Sequence, residues 1–244
     1  MSKITLEVAE NLASKLRGKY GFSMSEPISM KTVVRMSGIL TMYRPLDSNL
    51  YGMSLKSCDQ KSLFILVNSN TTRGRQHFTI AHELYHLFYE ENPYPHFCGK
   101  DIISESERNA NMFASAFLMP REGLLQNISA EELIDKSFHI SSVLKLESLF
   151  GVSHSMLLIR LKELKFITEK CFKELSCISV QKEALCRGFE LSLYKCGNEG
   201  LVISDFGQKA KQLYDEEKIS EGHYWELMNL IGQGYGEGED SSGC

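Results

Sequence analysis

The chain has 244 residues, enough for one large or two small domains. It is 43% hydrophobic and 24% charged, the balance of a soluble globular protein, and 27 basic against 31 acidic residues leave a net charge of -4. That balance gives no overall attraction to nucleic acid or to an anionic membrane, and no apolar run approaches the roughly 20 residues of a membrane-spanning helix.

Residues 1–22 read as an amphipathic helix rather than a signal peptide. Glu7, Glu10, Lys15, Arg17 and Lys19 are interleaved with a stripe of Val8, Ala9, Leu12, Ala13 and Leu16. After the loop ending at Glu26-Pro27, a short helix is expected over 30–36. Extended runs follow at 39–43, 51–55 and 63–67, the last continuously apolar as in a buried strand. Residues 68–72 are a turn and cap feeding a long helix. Residues 90–96 are too short and too marked by Pro93 and Pro95 to form an element, and read as a loop near a cleft. A second strongly patterned helix runs from Ser104 to Pro120, with Ala110, Phe113, Ala114, Phe117 and Leu118 at spacings of three and four.

Further helices are expected at 129–135, 140–150 and 153–164. The last two flank a turn at Val152-Ser153 and resemble a helix-turn-helix, with Leu144, Leu146, Leu149, Leu157, Leu158 and Leu161 inside. Reading DNA would need basic residues on the second helix. Only Arg160 and Lys162 stand there, so core packing or docking of a substrate is favoured over direct nucleic-acid binding. Residues 165–195 carry weak signals. Helices are expected at 205–214 and at 220–231, which holds Trp225, and the glycine-rich acidic end from 232 to 244 reads as disordered. The seven cysteines are odd in number and lack C-x-x-C spacing, which suits free thiols in a reducing cytoplasm.

The chemistry is concentrated in His82-Glu83-Leu84-Tyr85-His86, inside the helical run 78–88. On a helix, residues four apart share a face with Cβ atoms roughly 5–6 Å apart. Two imidazoles so placed can bind one Zn²⁺ at about 2.0–2.1 Å. Glu83 then projects beside the metal, where it can take a proton from water instead of ligating. Ile80, Ala81, Leu84, Leu87 and Phe88 bury this helix, and three ionisable groups on a buried helix are costly unless paired or metal-bound. The pattern points to zinc-assisted amide hydrolysis.

A third ligand must come from another segment. Glu107 shares the buried face of the second helix with Ala110, Asn111 and Ala114, and is the leading candidate; a carboxylate of an N-terminal capping box with Ser104 is the alternative. Asn111, one turn on, is placed to accept the free ring N–H of a ligating histidine. Glu105 lies off that face. His96 sits in the proline-marked loop, His77 is expected at the surface, and His139, His154 and His223 lack partners at ligand spacing.

The segments Arg75-Gln76-His77-Phe78-Thr79-Ile80-Ala81-His82-Glu83-Leu84-Tyr85-His86, Glu107-Arg108-Asn109-Ala110-Asn111-Met112-Phe113-Ala114 and Leu118-Met119-Pro120 resemble the ImmA/IrrE family of zinc metallopeptidases. Gly52, the strand ending at Val67-Asn68, residues 150–153 and residues 203–210 extend the likeness. Tyr85 stands where the family often has glycine, and His77 where arginine is common.

The resemblance implies Zn²⁺ held by His82, His86 and Glu107 with Glu83 as catalytic base. It implies an α+β, zincin-like core with a small, mainly antiparallel sheet and paired metal-binding helices. The organisation expected is a metallopeptidase domain at 1–125, a helix-turn-helix-like region at 126–166, a C-terminal extension at 167–234 and a tail at 235–244. The implied substrate is a helix-turn-helix transcriptional repressor, cleaved to derepress mobile-element or stress genes. A non-cleaving, zinc-stapled regulator that binds a repressor or DNA, and a metallopeptidase toxin, stay open. For the regulator, the sequence offers no convincing fourth ligand to close the site. In zincins an edge strand holds extended substrate, and the run at 51–55 or at 63–67 is expected to serve.

Overall fold

The structure, a computed structural model describing residues 3–57, 62–90, 95–100 and 104–232, is an α+β fold. The three extended runs become β1 (Leu40–Arg44), β2 (Leu50–Lys56) and β3 (Leu63–Asn68). Two short strands not read from the sequence, β4 (His96–Gly99) and β5 (Val202–Ile203), complete a sheet of order β4-β2-β3-β1-β5. Only β1 and β3 run parallel; the other three pairings are antiparallel. The central place of β3 explains its unbroken apolar run.

This order corrects the expectation for the substrate-holding edge. β2 is flanked by β3 and β4, and β3 by β1 and β2, so neither has a free edge. Among the described residues the edges are β4 and β5. β4 escaped notice because it has four residues and follows a proline, too few for alternation to register.

Helix α3 (Arg73–Tyr89), capped by the Thr72 hydroxyl, lies across the sheet. Gly52 permits that approach. A Cβ there would stand 2.6 Å from the Leu66 carbonyl oxygen and 2.7 Å from Thr79 Cγ2. Gly74 serves similarly at the start of α3, where a Cβ would meet the Ser153 nitrogen at 2.7 Å. Against α3 packs α4 (Glu105–Leu118), and against α4 packs α1 (Leu6–Lys19). On α1, Ala9, Ala13 and Leu16 are buried as expected, but Val8 is 44% exposed.

The end of α4 is held by two buried arginines. Arg17 Nη1 donates to the Phe117 carbonyl at 2.7 Å, and Arg160 Nε to the Met119 carbonyl at 3.1 Å. The last carbonyls of a helix lack intrahelical partners and carry its negative pole, so a guanidinium there satisfies both.

The helix-turn-helix-like pair is α7 (Ile140–Phe150) and α8 (His154–Glu163), turned by 103° about the break. Arg160 is fully buried and pairs with Glu10 at 2.9 Å, while Lys162 pairs with Glu169 at 2.8 Å. The weakly signalled stretch after 165 forms α9 (Glu169–Ser176), α10 (Val180–Cys186) and a 3-10 turn at Ser192–Tyr194. Helices α11 (Phe206–Asp215) and α12 (Glu221–Gly232) follow where expected; residues 233–244 lie outside the described residues. The segment before β5 is laced to the start of α3. Arg73 N–H donates to the Lys195 carbonyl, and buried Gln76 donates to the Gly197 carbonyl and accepts from Asn198. No single helix among the described residues is long and apolar enough to cross a membrane.

One buried cluster gives this assembly a pH signature. Glu147, fully buried on α7, accepts from His154 Nδ1 and from the Tyr194 hydroxyl, each at 2.6 Å, while His154 Nε2 donates to the Leu175 carbonyl at 3.0 Å. Burial pulls the His154 pKa down, but Glu147 and the Leu175 carbonyl outweigh it and raise it above the ordinary 6.5. A raised folded value means that the charged pair stabilises fully below pH 6.5 and fades as pH climbs through the folded value. Thermal melting of the wild type is therefore expected to lose more stability than His154→Gln between about pH 6 and pH 9. Parallel profiles would show that His154 carries no charge in the folded chain.

Candidate metal centre

The fold brings the two motif helices face to face. Along α3, Ile80, Ala81 and Leu84 are buried in the core, and the same turns carry His82, Glu83 and His86, which are 1%, 0% and 4% exposed. On α4, the Ser104 hydroxyl accepts the Glu107 N–H at 3.2 Å, as the sequence suggests. The Glu107 carboxylate does not return to the cap. It turns inward, with Oε2 3.3 Å from His82 Nε2 and Oε1 3.6 Å from His86 Nε2. Glu105 stays outside and pairs with Arg108.

The histidine tautomers follow from their outer partners. His82 Nδ1 lies 3.0 Å from Asn111 Oδ1, the support expected of Asn111. His86 Nδ1 lies 2.8 Å from Glu90 Oε2, and Glu90 is itself held by the Ser106 hydroxyl. Both partners only accept, so in the neutral rings each Nδ1 carries the proton and each Nε2 presents a lone pair. Those two lone pairs face each other with the nitrogens 3.1 Å apart, and the Glu107 carboxylate closes the third side. Tetrahedral bonds of about 2.0–2.1 Å put donor atoms about 3.3 Å apart. The observed separations of 3.1, 3.3 and 3.6 Å, the last two to different oxygens of Glu107, are of the size needed for His82, His86 and Glu107 to hold one metal ion. Glu90 completes a carboxylate–histidine support of the kind that orients metal ligands.

His96, set aside in the sequence as part of a loop, enters the site. It opens β4 opposite Ser54 of β2. Alternation along the strand turns His96 and Cys98 toward the cleft, while Phe97 is 46% exposed. His96 Nε2 lies 2.5 Å from Glu107 Oε1, and its Nδ1 3.2 Å from Glu83 Oε2. Ser54 Oγ donates to the same Glu83 oxygen at 2.6 Å. Glu83 Oε1, in contrast, is buried with no partner among the described residues. His82, His86, His96 and Glu107 offer ligand atoms all within 4.8 Å of one another, and Cys98 does so with His82 and Glu83.

This crowding moves the titrations. Burial pushes the Glu107 carboxyl up, but His82 and His96 outweigh it and hold it at about 2. Burial likewise opposes the charge on His96, yet Glu107 and Glu83 raise it to about 9. His82 is raised despite full burial, through Cys98, Glu107 and Glu83. His86 is lowered by burial and by the neighbouring His82 and His96.

The other sequence candidates lie elsewhere. His77 is not at the surface; its Nδ1 donates to the Gly151 carbonyl at 2.8 Å. Tyr85 is 2% exposed and packs on Phe113 and Tyr89, a core residue. The sequence reading missed His96, Glu90, Ser54 and Cys98. Of these only Glu90 left a signal, standing four residues beyond His86.

Residues 35–162 match the family model Peptidase_M78, IrrE N-terminal-like domain. A Mycobacterium tuberculosis transcriptional regulator is similar in structure, with 20% identity and a TM-score of 0.42 over 66% of this chain and 47% of that one. The chain thus spans about half the length of that regulator. No curated protein matches the chain.

The ligand geometry sets a graded outcome for zinc affinity, measured by chelator competition. Glu107→Ala is expected to abolish stoichiometric zinc. Asn111→Ala, which frees His82 to change tautomer, is expected to weaken binding about 10- to 100-fold. Equal, full zinc binding by wild type and both variants would reject the assignment.

Proposed function

The chain belongs to the Peptidase_M78 family, built on an IrrE N-terminal-like domain, and on that premise we propose that it is a zinc-dependent endopeptidase whose substrate is a helix-turn-helix transcriptional repressor. The observation that carries the reading is the Glu83 carboxylate. One oxygen is fixed by Ser54 and His96 and the other is buried and unpartnered, directly beside three converging donors.

Zinc in such a site supplies Lewis acidity toward a scissile carbonyl and acidifies water toward a pKa of ~7. Glu83 Oε1 is the acceptor for the proton of the attacking water, and Glu83 then returns that proton to the leaving amine. Ser54 keeps the carboxylate from rotating away. His96 Nδ1, 3.2 Å from Glu83 Oε2, shares with Ser54 the task of orienting that carboxylate. The substrate backbone pairs with the outer edge of β4, which supplies affinity with little demand on sequence.

A second reading rests on His96. Its presence in the four-residue cluster makes it a possible fourth protein ligand, and a site closed by four ligands is structural. The chain would then be a zinc-stapled regulator that binds a repressor without cutting it. His96→Ala separates the two, because it would sharply weaken zinc in a closed site but leave three ligands intact in an open one.

Incubation of the zinc-loaded chain with purified helix-turn-helix repressors from its own source tests the peptidase reading. Wild type is expected to produce discrete fragments. Glu83→Gln is expected to keep full zinc while cleavage falls by roughly 10²–10⁴-fold. Cleavage that persists in Glu83→Gln would sink the role of Glu83, and an intact repressor with zinc-loaded wild type would move the assignment to the regulator.

A further inference from the structure

A cleft of about 560 Å³ opens from the metal centre, with Glu107, Asn111 and Cys98 at its inner end. Its apolar lining comes from three helices: Phe78 on α3, Met112 on α4, and Met156 and Ile159 on α8. Helix α8 is apolar on two faces. Leu157, Leu158 and Leu161 are buried in the core, whereas Ile159 is 40% exposed; Met156, three residues earlier, packs partly against the core and also lines the cleft. An isoleucine held at the wall of a cleft that Glu107 also lines is placed to meet a ligand.

The rim is cationic. Arg75 lies over the Tyr51 ring at 4.6 Å, and Lys3 and Lys100 stand on the same cleft. Among the described residues no carboxylate pairs with any of these three. Glu163, the last residue of α8, is the one acidic wall residue apart from Glu107.

We propose that this cleft is the side-chain subsite of the peptidase, that it takes a bulky apolar residue beside the scissile bond, and that Arg75 and Lys100 hold an acidic residue next to it. The proposal rests on the peptidase reading above and deepens it. It gives the helix-turn-helix-like pair a role as a wall of the substrate cleft. The substrate class is a peptide with an aliphatic or aromatic residue at the cut and negative charge alongside. The cleft's continuity with Glu107 and the complementary charge of its rim favour this occupant.

The test is calorimetric binding to the zinc-loaded full chain. Acetohydroxamic acid probes the metal alone. Peptidyl hydroxamates that differ in one side chain, isobutyl against methyl, probe the pocket, and Asp against Lys at the neighbouring position probes the rim. Three extra buried carbons are expected to make the isobutyl compound roughly 60-fold tighter. Ile159→Glu, a change at a half-exposed site, is expected to reduce that preference below about 3-fold, and Arg75→Gln to erase the preference for Asp, both with wild-type zinc content. If acetohydroxamic acid binds but the side chains make no difference, the subsite is overturned and the peptidase reading stands. If zinc-loaded protein binds no hydroxamate at all, the site is closed, and both the peptidase reading and the subsite fall.

Discussion

Charge burial at the junction of α3 and α4 is the constraint on which the rest depends. Two carboxylates and two imidazoles, Glu83, Glu107, His82 and His86, are each at most 5% exposed there. Without compensation such groups would cost several kcal/mol apiece. Each is compensated by a partner: Asn111 on α4 for His82, Glu90 at the end of α3 for His86, Ser54 on β2 and His96 on β4 for Glu83, and His96 again for Glu107. The remaining lone pairs converge on one point, where His82, His86 and Glu107 could together hold a metal ion.

That geometry survives only if α3 and α4 keep their relative positions, and much of the remaining fold serves this. Gly52 lets α3 approach the sheet closely. Gly74 and the hydrogen bonds of Gln76 fix the start of α3 against the α7–α8 turn and the segment before β5. At the far end, Arg17 and Arg160 hold the terminal carbonyls of α4, reaching it from α1 and α8. The segment around β5 is therefore attached to α3, because β5 joins β1 and the residues before it contact Arg73 and Gln76.

Sequence was most informative where periodicity is long. The three runs of the sheet, α3, α4 and the α7–α8 pair were legible within a residue or two, and so was the convergence of His82, Glu83, His86, Glu107 and Asn111 on one place. Each of these lies on a helix whose apolar repeat sets the direction of every side chain. What stayed hidden lies on short elements. His96 and Cys98 sit on a four-residue strand whose partner, β2, is distant in sequence, so nothing local marks them as inward-facing. Ser54 reaches Glu83 only because α3 packs on β2. Arg160 looked like a surface cation of a helix-turn-helix, and its burial follows from a carbonyl at residue 119 that no local pattern points to.

The two fates of α8 follow from one piece of packing. A helix that reads DNA must present its cations outward, yet Arg160 is committed inward to Glu10 and the end of α4. Once it is buried, the rotation of α8 is set, and Met156 and Ile159 are carried toward the cleft rather than toward solvent on the opposite side. The same arginine that anchors α4, and with it Glu107, thereby shapes the pocket that opens from Glu107. Glu107 and the cleft wall are coupled through the end of α4, so a change that loosens α8 acts on the position of Glu107 as well as on what the cleft admits.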